Sequence, residues 1–211
     1  REQVTALIAS STGPVHPAQF LRAVQESLES EDIVVLGEGA TRVWTATELL
    51  LRTPGNWVSA SDYGCMGYAN GAALGAAVGR PGVPVWCFTG DGSFQMQMQE
   101  LATAAQYRLP IAFVIFNNSC LGWIKWRQEA RCKGQHFAVD FTTNWCLAQA
   151  APAAGVEGVL VDAPEKCTEA VAAARRAFAE ERPVLIEVLV PWCEQTPGFV
   201  RHHASPPPPP A

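Results

Sequence analysis

The sequence predicts an α/β fold, a doubly wound and mostly parallel sheet with helices on both faces, and three observations carry that prediction. From His16 to about Pro191, runs with apolar residues at helical spacing alternate with short β-rich runs. The first four β-rich runs end in loops of glycine, small or polar residues, "GEGAT", "SDYGCM", "TGDGS" and "NNSCLG". The chain has 211 residues, 48% hydrophobic and 17% charged, which suits one domain around a single sizeable core.

Taken in order, "HPAQFLRAVQESLES" places Phe20, Leu21, Val24 and Leu28 at helical spacing, with Pro17 suited to a first helical turn. "DIVVLGEG" reads as a strand ending in glycines, "TRVWTATELLL" as a helix and "NWVSA" as a short strand. "GCMGYANGAALGAAVG" is a small-residue helix whose Gly67, Gly71, Gly75 and Gly79 leave a bare spine. That spine predicts close packing on a neighbouring helix, within the domain or across a dimer. "VPVWCFTG" is a strand, "FQMQMQELATAAQYR" its helix, "LPIAFVIFNN" a strand, "CLGWIKWRQEA" a helix and "HFAVDFTTN" an irregular loop. "WCLAQAAPAAG" (helix), "VEGVLVD" (strand), "PEKCTEAVAAARRAFAEE" (helix) and "RPVLIEVLV" (strand) complete the pattern. Residues 16–192 are expected to form the domain, residues 1–15 a linker, and residues 193–211 a tail whose "SPPPPPA" end takes polyproline II conformation.

Composition removes several classes of function. A net charge of −5, with 15 scattered Lys and Arg, provides no basic stripe for nucleic acid and none for an anionic membrane. No apolar stretch reaches the roughly 20 residues that a helical span needs. The seven cysteines form no C-x-x-C pair, so reduced, mostly buried thiols and a cytoplasmic location are expected. The chain opens on Arg1, and part of a longer polypeptide is the expectation.

Ligands of an open parallel sheet sit beyond the carboxyl ends of its strands, so the four loops above are candidates for one site. Gly90-Asp91-Gly92-Ser93 ends a strand and opens a helix, which offers backbone N–H groups and a helix dipole to a phosphate. It is also a common turn. Asn117-Asn118 ends the following strand. A magnesium ion prefers oxygen ligands, and Asp91 can supply a carboxylate, Asn118 an amide oxygen and Cys120 a backbone carbonyl. Two separate turns are the competing explanation.

Gly-Asp-Gly, 24 residues (93–116) and then Asn-Asn, with a strand before each half and a helix between, resembles the signature of thiamine-diphosphate-dependent enzymes. The likeness runs from His16 to about Pro191 and corresponds to the family's C-terminal, diphosphate-binding domain. It is most similar to the acetolactate synthase, benzoylformate decarboxylase and oxalyl-CoA decarboxylase branch. The resemblance implies the thiamine-diphosphate-binding fold, with thiamine diphosphate and Mg²⁺ as cofactors.

Carried over residue by residue, the resemblance makes Asp91, Asn118 and Cys120 the metal ligands. It sets Gly90, Gly92 and Ser93 on the diphosphate, together with the loop of Asn118, Cys120, Leu121 and Gly122. Met66 corresponds to the apolar wedge beneath the cofactor and the Gly64 carbonyl to an acceptor for its amino group; without the resemblance, Met66 reads as a core filler. Gly39, Ala40 and Thr41 lie in the first phosphate-side loop. That loop departs from the acetolactate synthase pattern, since Ala40 and Thr41 replace a Gln-His pair, and Glu38 is expected to turn away from the diphosphate. Ile124 stands where some 2-ketoacid decarboxylases carry a catalytic carboxylate. Trp123 and Ile124, with Met66 the candidates for a catalytic role on this chain, either shape the acceptor pocket or face the core.

The implied function is decarboxylation of a 2-oxo acid or related acyl donor, with transfer of the acyl carbanion to an acceptor, by a lyase or transferase. The family's activating glutamate belongs to a pyrimidine-binding domain that this sequence lacks. Activity is therefore expected only with that partner, in the same longer chain or on a separate subunit of a homo- or hetero-oligomer. The alternatives are a degenerate, non-catalytic cofactor-binding or interaction domain, and the β subunit of a 2-oxoacid oxidoreductase.

Overall fold

Six parallel strands make up the sheet found among the described residues: β1 (Ile33–Leu36), β2 (Trp57–Ser59), β3 (Val85–Gly90), β4 (Ile111–Asn117), β5 (Glu157–Val161) and β6 (Val184–Leu189). Their spatial order is β2-β1-β3-β4-β6-β5, with every neighbouring pair parallel. The computed structural model describes residues 2–11, 13–60, 63–143, 145–193 and 196–197. After β1 the chain moves outward to β2 and then returns to the other side of β1 as β3. That reversal opens a crevice between the carboxyl ends of β1 and β3, the place where open sheets of this kind hold ligands.

Alternation along the strands divides the core in two, because successive strand side chains point to opposite faces. Val34, Leu36, Trp86, Phe88, Val114, Phe116 and Val188 pack against α2 (Pro17–Ser27), α3 (Ala40–Glu48) and α9 (Cys167–Ala179). Ile33, Val35, Cys87, Phe113, Ile115 and Leu185 face α4 (Tyr68–Gly79), α5 (Asp91–Gln95), α6 (Glu100–Gln106) and α8 (Leu147–Ala150). Both faces are thus covered, and the fold is α/β and doubly wound as predicted. Each large side chain buried here contributes about 1.5–3 kcal/mol, enough for the sheet to hold its loop-bearing edge firmly. No helix among the described residues is long and apolar enough to cross a membrane.

The structure corrects the sequence-based expectation of elements in three places. Residues 1–15, predicted as linker, contain α1 (Glu2–Ser10), and its Val4 joins the core beside α2. The single helix predicted after β3 is broken into α5 and α6, because Asn70 on α4 donates to the Phe94 and Gln97 carbonyls (3.1 Å each) that the break releases. The predicted helix over 145–155 ends as α8 and continues as a 3₁₀ turn, Ala151–Ala154, where Pro152 has no N–H to extend an α-helix. Along the glycine spine of α4, close approach within the chain holds at Gly67, whose Cβ position is 3.3 Å from Met96, and at Gly71, 3.4 Å from Gln97; a Cβ at Gly75 or Gly79 would meet nothing within 4 Å, which leaves that end of the spine open to a second chain. The remaining strands and helices follow the predicted order, α7 (Gly122–Arg131) among them. The polyproline end lies outside the described residues.

His16 fixes the start of α2. Its Nδ1 accepts the Ala18 N–H (3.1 Å), Gln19 reaches back to the His16 N–H (3.0 Å), and the ring stands edge-on to Trp44. Burial, with Arg22 nearby, lowers its pKa from 6.5 to about 4. Between those values the unfolded chain binds the proton and the folded chain does not, so this contribution is complete above pH 6.5 and is lost as the pH falls towards 4. Urea unfolding should show wild type losing up to about 3 kcal/mol relative to His16→Asn across that interval, since asparagine keeps the cap without the titration.

Candidate functional site

Four loops meet beyond the carboxyl edge of the sheet around a cavity of about 280 Å³. The first follows β1. Gly39, at φ +85°, takes a left-handed conformation before α3, and Thr41 in the first turn of α3 brings its hydroxyl within 3.6 Å of the Cβ position at Gly90. The second loop carries Gly64 and Met66 into α4, and its Gly67 N–H donates to Ser93 Oγ (2.9 Å), which ties it to the third loop. The third is Gly90-Asp91-Gly92-Ser93, where β3 turns directly into α5. The fourth runs from Asn117 at the end of β4 into α7.

Asp91 is the electrostatic centre of this edge. Only 2% of it is exposed, and Oδ2 has no hydrogen-bond partner among the described residues. Burial raises its pKa to about 7, against the opposing backbone hydrogen bonds from Gly92 and Ser119. The Ser119 contact means that the carboxylate crosses from the end of β3 to the loop after β4. A buried carboxylate with a spare oxygen, beside a second oxygen-bearing loop, is a partial shell for a hard divalent cation. No group of three or more His, Cys, Asp and Glu side chains among the described residues could hold a metal by itself. The donor set therefore fits a cation that takes one carboxylate, neutral oxygens and further ligands from a bound anion or water.

Left-handed backbone at Ser119 (φ +57°) folds the fourth loop back on itself. Asn117 Oδ1 accepts the Ser119 N–H (3.0 Å), and Asn118 Oδ1 accepts the Cys120 N–H (3.2 Å). The segment 137–141 lies across this loop: Leu121 N–H donates to the Val139 carbonyl (2.8 Å), and Phe141 N–H donates to the Ser119 carbonyl (2.9 Å). Two glycines are needed for steric reasons. A Cβ at Gly92 would lie 3.0 Å from the Phe141 ring, and one at Gly122 would lie 2.4 Å from Asn118 Nδ2. Burial pushes the Cys120 thiol up to about 12, so at neutral pH it is an inert part of the wall.

Every candidate from the sequence borders this one cavity: Gly39, Ala40, Thr41, Gly64, Met66, Gly90, Asp91, Gly92, Ser93, Asn118, Cys120, Leu121, Gly122, Trp123 and Ile124. Met66 and Ile124 are 39% and 46% exposed, too open for core fillers. Sequence reasoning missed Arg42 and Phe116, which also line the cavity. Glu38 also borders the cavity, its carboxylate turned to Arg42 at 3.1 Å and near Gly64. The four-residue spacing of Glu38 and Arg42 across the start of α3 is the signal that could have revealed the pair.

Residues 37–188 match the family model described as "Thiamine pyrophosphate enzyme, C-terminal TPP binding domain". Among similar curated proteins, an acetolactate synthase from Mycobacterium leprae is 31% identical over 184 residues, covering 85% of this chain and 29% of that protein. The acetolactate synthase large subunit of Haemophilus influenzae is 31% identical over 156 residues, 74% of this chain and 27% of its own length. A putative thiamine pyrophosphate-containing protein of Bacillus subtilis, YdaP, is 29% identical over 192 residues, 91% of this chain and 33% of that protein. The chain thus spans about a third or less of these relatives.

Two substitutions separate the tight fourth loop from open helix surface. Gly122→Ala should displace the Asn118 amide and lower stability by about 1–3 kcal/mol in urea unfolding, whereas Gly75→Ala, where a Cβ meets nothing within 4 Å, should add about 0.5–1 kcal/mol. Asp91→Asn should stabilise the chain in the absence of metal. Its raised pKa means that folding ejects charge, so ionised Asp91 lowers stability increasingly as the pH rises from 3.8 through about 7. Thermal melts at pH 8 without metal should place the variant about 1–3 kcal/mol above wild type.

Proposed function

Because the chain belongs to the thiamine pyrophosphate enzyme family, as its C-terminal TPP binding domain, we propose that it is the thiamine-diphosphate- and Mg²⁺-binding half of a 2-oxo acid decarboxylase. In this reading the whole enzyme, acetolactate-synthase-like, takes a 2-oxo acid or related acyl donor and transfers the acyl unit to an acceptor. The observation that supports it is the buried Asp91 carboxylate, with Oδ2 unpartnered in the described structure, bordering one cavity with Asn118 and Cys120.

Each wall has an assigned task. Asp91, Asn118 and the Cys120 carbonyl hold the cation, which neutralises the cofactor's diphosphate. The Ser93 N–H at the start of α5 and the Thr41 hydroxyl receive the phosphate oxygens, with the Gly92 backbone beside them. Glycines at 90 and 92 let the backbone come close. Met66 projects into the cleft and sets the conformation of the organic part of the cofactor, and the Gly64 carbonyl accepts a hydrogen bond from it. Trp123 and Ile124 form an apolar flank that keeps water from the reacting carbon and shapes the acceptor pocket. When bound, thiamine diphosphate supplies the carbon nucleophile and the electron sink for decarboxylation. Activation of that nucleophile falls to a pyrimidine-binding domain, in the same longer chain or on a partner subunit.

The carboxylate of Glu38 in the cavity wall motivates a second reading, a degenerate domain that keeps the fold without turnover. The β subunit of a 2-oxoacid oxidoreductase is disfavoured, because no cysteine cluster exists among the described residues. Calorimetric titration of thiamine diphosphate with Mg²⁺ tests the proposal. Wild type should bind both weakly by itself and more tightly with an acetolactate-synthase-type pyrimidine-binding domain, which alone should bring turnover of a 2-oxo acid. Asp91→Ala should bind neither. Turnover by the isolated chain would contradict the half-site, and absence of binding even with the partner would favour the degenerate domain.

A further inference from the structure

Beneath the cavity floor a single carboxylate interrupts an otherwise apolar strand. Glu187 on β6 is 1% exposed and lies beside β4, on the sheet face that carries Leu185 and Ile115. It is fully engaged. Oε1 accepts from Asn117 Nδ2 (2.6 Å), and Oε2 accepts from the Ala148 N–H (2.8 Å) and the Cys146 thiol (3.2 Å). Burying this charge in the sheet is costly, and three donors offset the cost.

The arrangement has a direction. A carboxylate is acceptor-only, so Glu187 obliges Asn117 to turn its NH₂ group downward and its oxygen upward. That oxygen accepts the Ser119 N–H at 3.0 Å, at the residue whose left-handed backbone (φ +57°) reverses the loop. For a non-glycine residue that conformation costs about 1 kcal/mol or more and needs an external constraint. Asn118 and Cys120 flank this turn, and Asp91 is hydrogen-bonded to its Ser119 N–H.

We propose that Glu187 is the positioning residue of the cation loop, holding the Asn117 amide in one orientation and thereby the Ser119 turn that presents Asn118 and Cys120 to the cavity. The inference rests on the cation-binding role of that loop. Glu187 touches neither cofactor nor substrate; it acts on the loop through Asn117, and its charge also reaches Asp91.

Reversing the donors tests it. In Glu187→Gln an NH₂ group must face either the Ala148 N–H or the Asn117 NH₂, so one donor–donor clash is unavoidable. Mg²⁺ affinity in the presence of thiamine diphosphate should fall about 10–100-fold. Asn117→Asp alone sets two carboxylates against each other and should also weaken binding. In Asn117→Asp/Glu187→Gln the introduced glutamine donates its NH₂ to the introduced aspartate and accepts the Ala148 N–H through its oxygen, while the aspartate still accepts the Ser119 N–H. The double variant should return to within a few-fold of wild type. In cation-free protein, hydrogen exchange at Ser119 should be about 10-fold faster in Glu187→Gln, with the β4 and β6 amides unchanged, and should be restored in the double variant. Glu187→Gln matching wild type in affinity and exchange, or a double variant no better than Glu187→Gln, would overturn the inference. If wild type binds no cation, the functional reading fails, and the Ser119 exchange rates alone decide the role of Glu187. If Glu187→Gln does not fold, the double variant against wild type decides it.

Discussion

The edge of this sheet depends on a charge kept where a charge is poorly solvated. Asp91 ends β3 with a carboxylate that is almost wholly buried, and two backbone N–H groups, from Gly92 and Ser119, compensate it only in part. The energy needed to maintain such a group comes from elsewhere, from the two apolar layers that clamp β3 and β4 on both faces. A less rigid scaffold would relax by swinging Asp91 into water. Because β3 is a central strand, flanked by β1 and β4 along its length, its end cannot move without breaking the ladder.

Close contacts propagate outward from that carboxylate. The Gly67 N–H bonded to Ser93 Oγ brings α4 to the loop of Asp91, and the Asn70 amide at the head of α4 holds the break between α5 and α6. On the opposite side, Phe141 and Leu121 close over Gly92 at distances that leave no room for a methyl group. Lys125 on α7 pairs with Asp140 (2.5 Å), which secures the strap across the fourth loop. The cavity therefore has walls whose positions depend on one another, a requirement for holding several ligands at fixed separations.

Much of this was legible in the sequence because the signals are local. The near-continuous apolar runs "IVVL", "VWCF" and "IAFVIF" mark strands buried on both faces, and the small and polar residues after them mark loops. What escaped reading are pairings between distant positions. Glu187 meets Asn117 across 70 residues, and within "RPVLIEVLV" it is one polar residue in an apolar run. The break after Gln95 was hidden because Met96, Met98 and Leu101 continue an acceptable helical pattern, while its cause, Asn70, lies on another helix. The helix over 2–10 was missed since its apolar face is short and has meaning only against α2. Arg42 was overlooked for a different reason, as a helix-surface arginine is ordinary until the cavity beside it is known.

The ionisable groups around the cavity also bear on how much chemistry this chain can perform alone. Among the described residues four border it: Glu38, Arg42, Asp91 and Cys120. Glu38 and Arg42 are paired with each other at 3.1 Å, which suits binding and orientation better than proton exchange. The Cys120 thiol is held protonated by burial. Asp91 has a pKa near neutrality only while no cation is bound, and a divalent ion at Oδ2 would hold it ionised. With an ion there, the described walls would present fixed charge and oriented dipoles. The exposed apolar side chains Met66 and Ile124 face the same opening, where a further protein surface would exclude water. The arrangement of the described walls thus accords with the proposed half-site, since it fixes charge and geometry at an opening that a second surface would close.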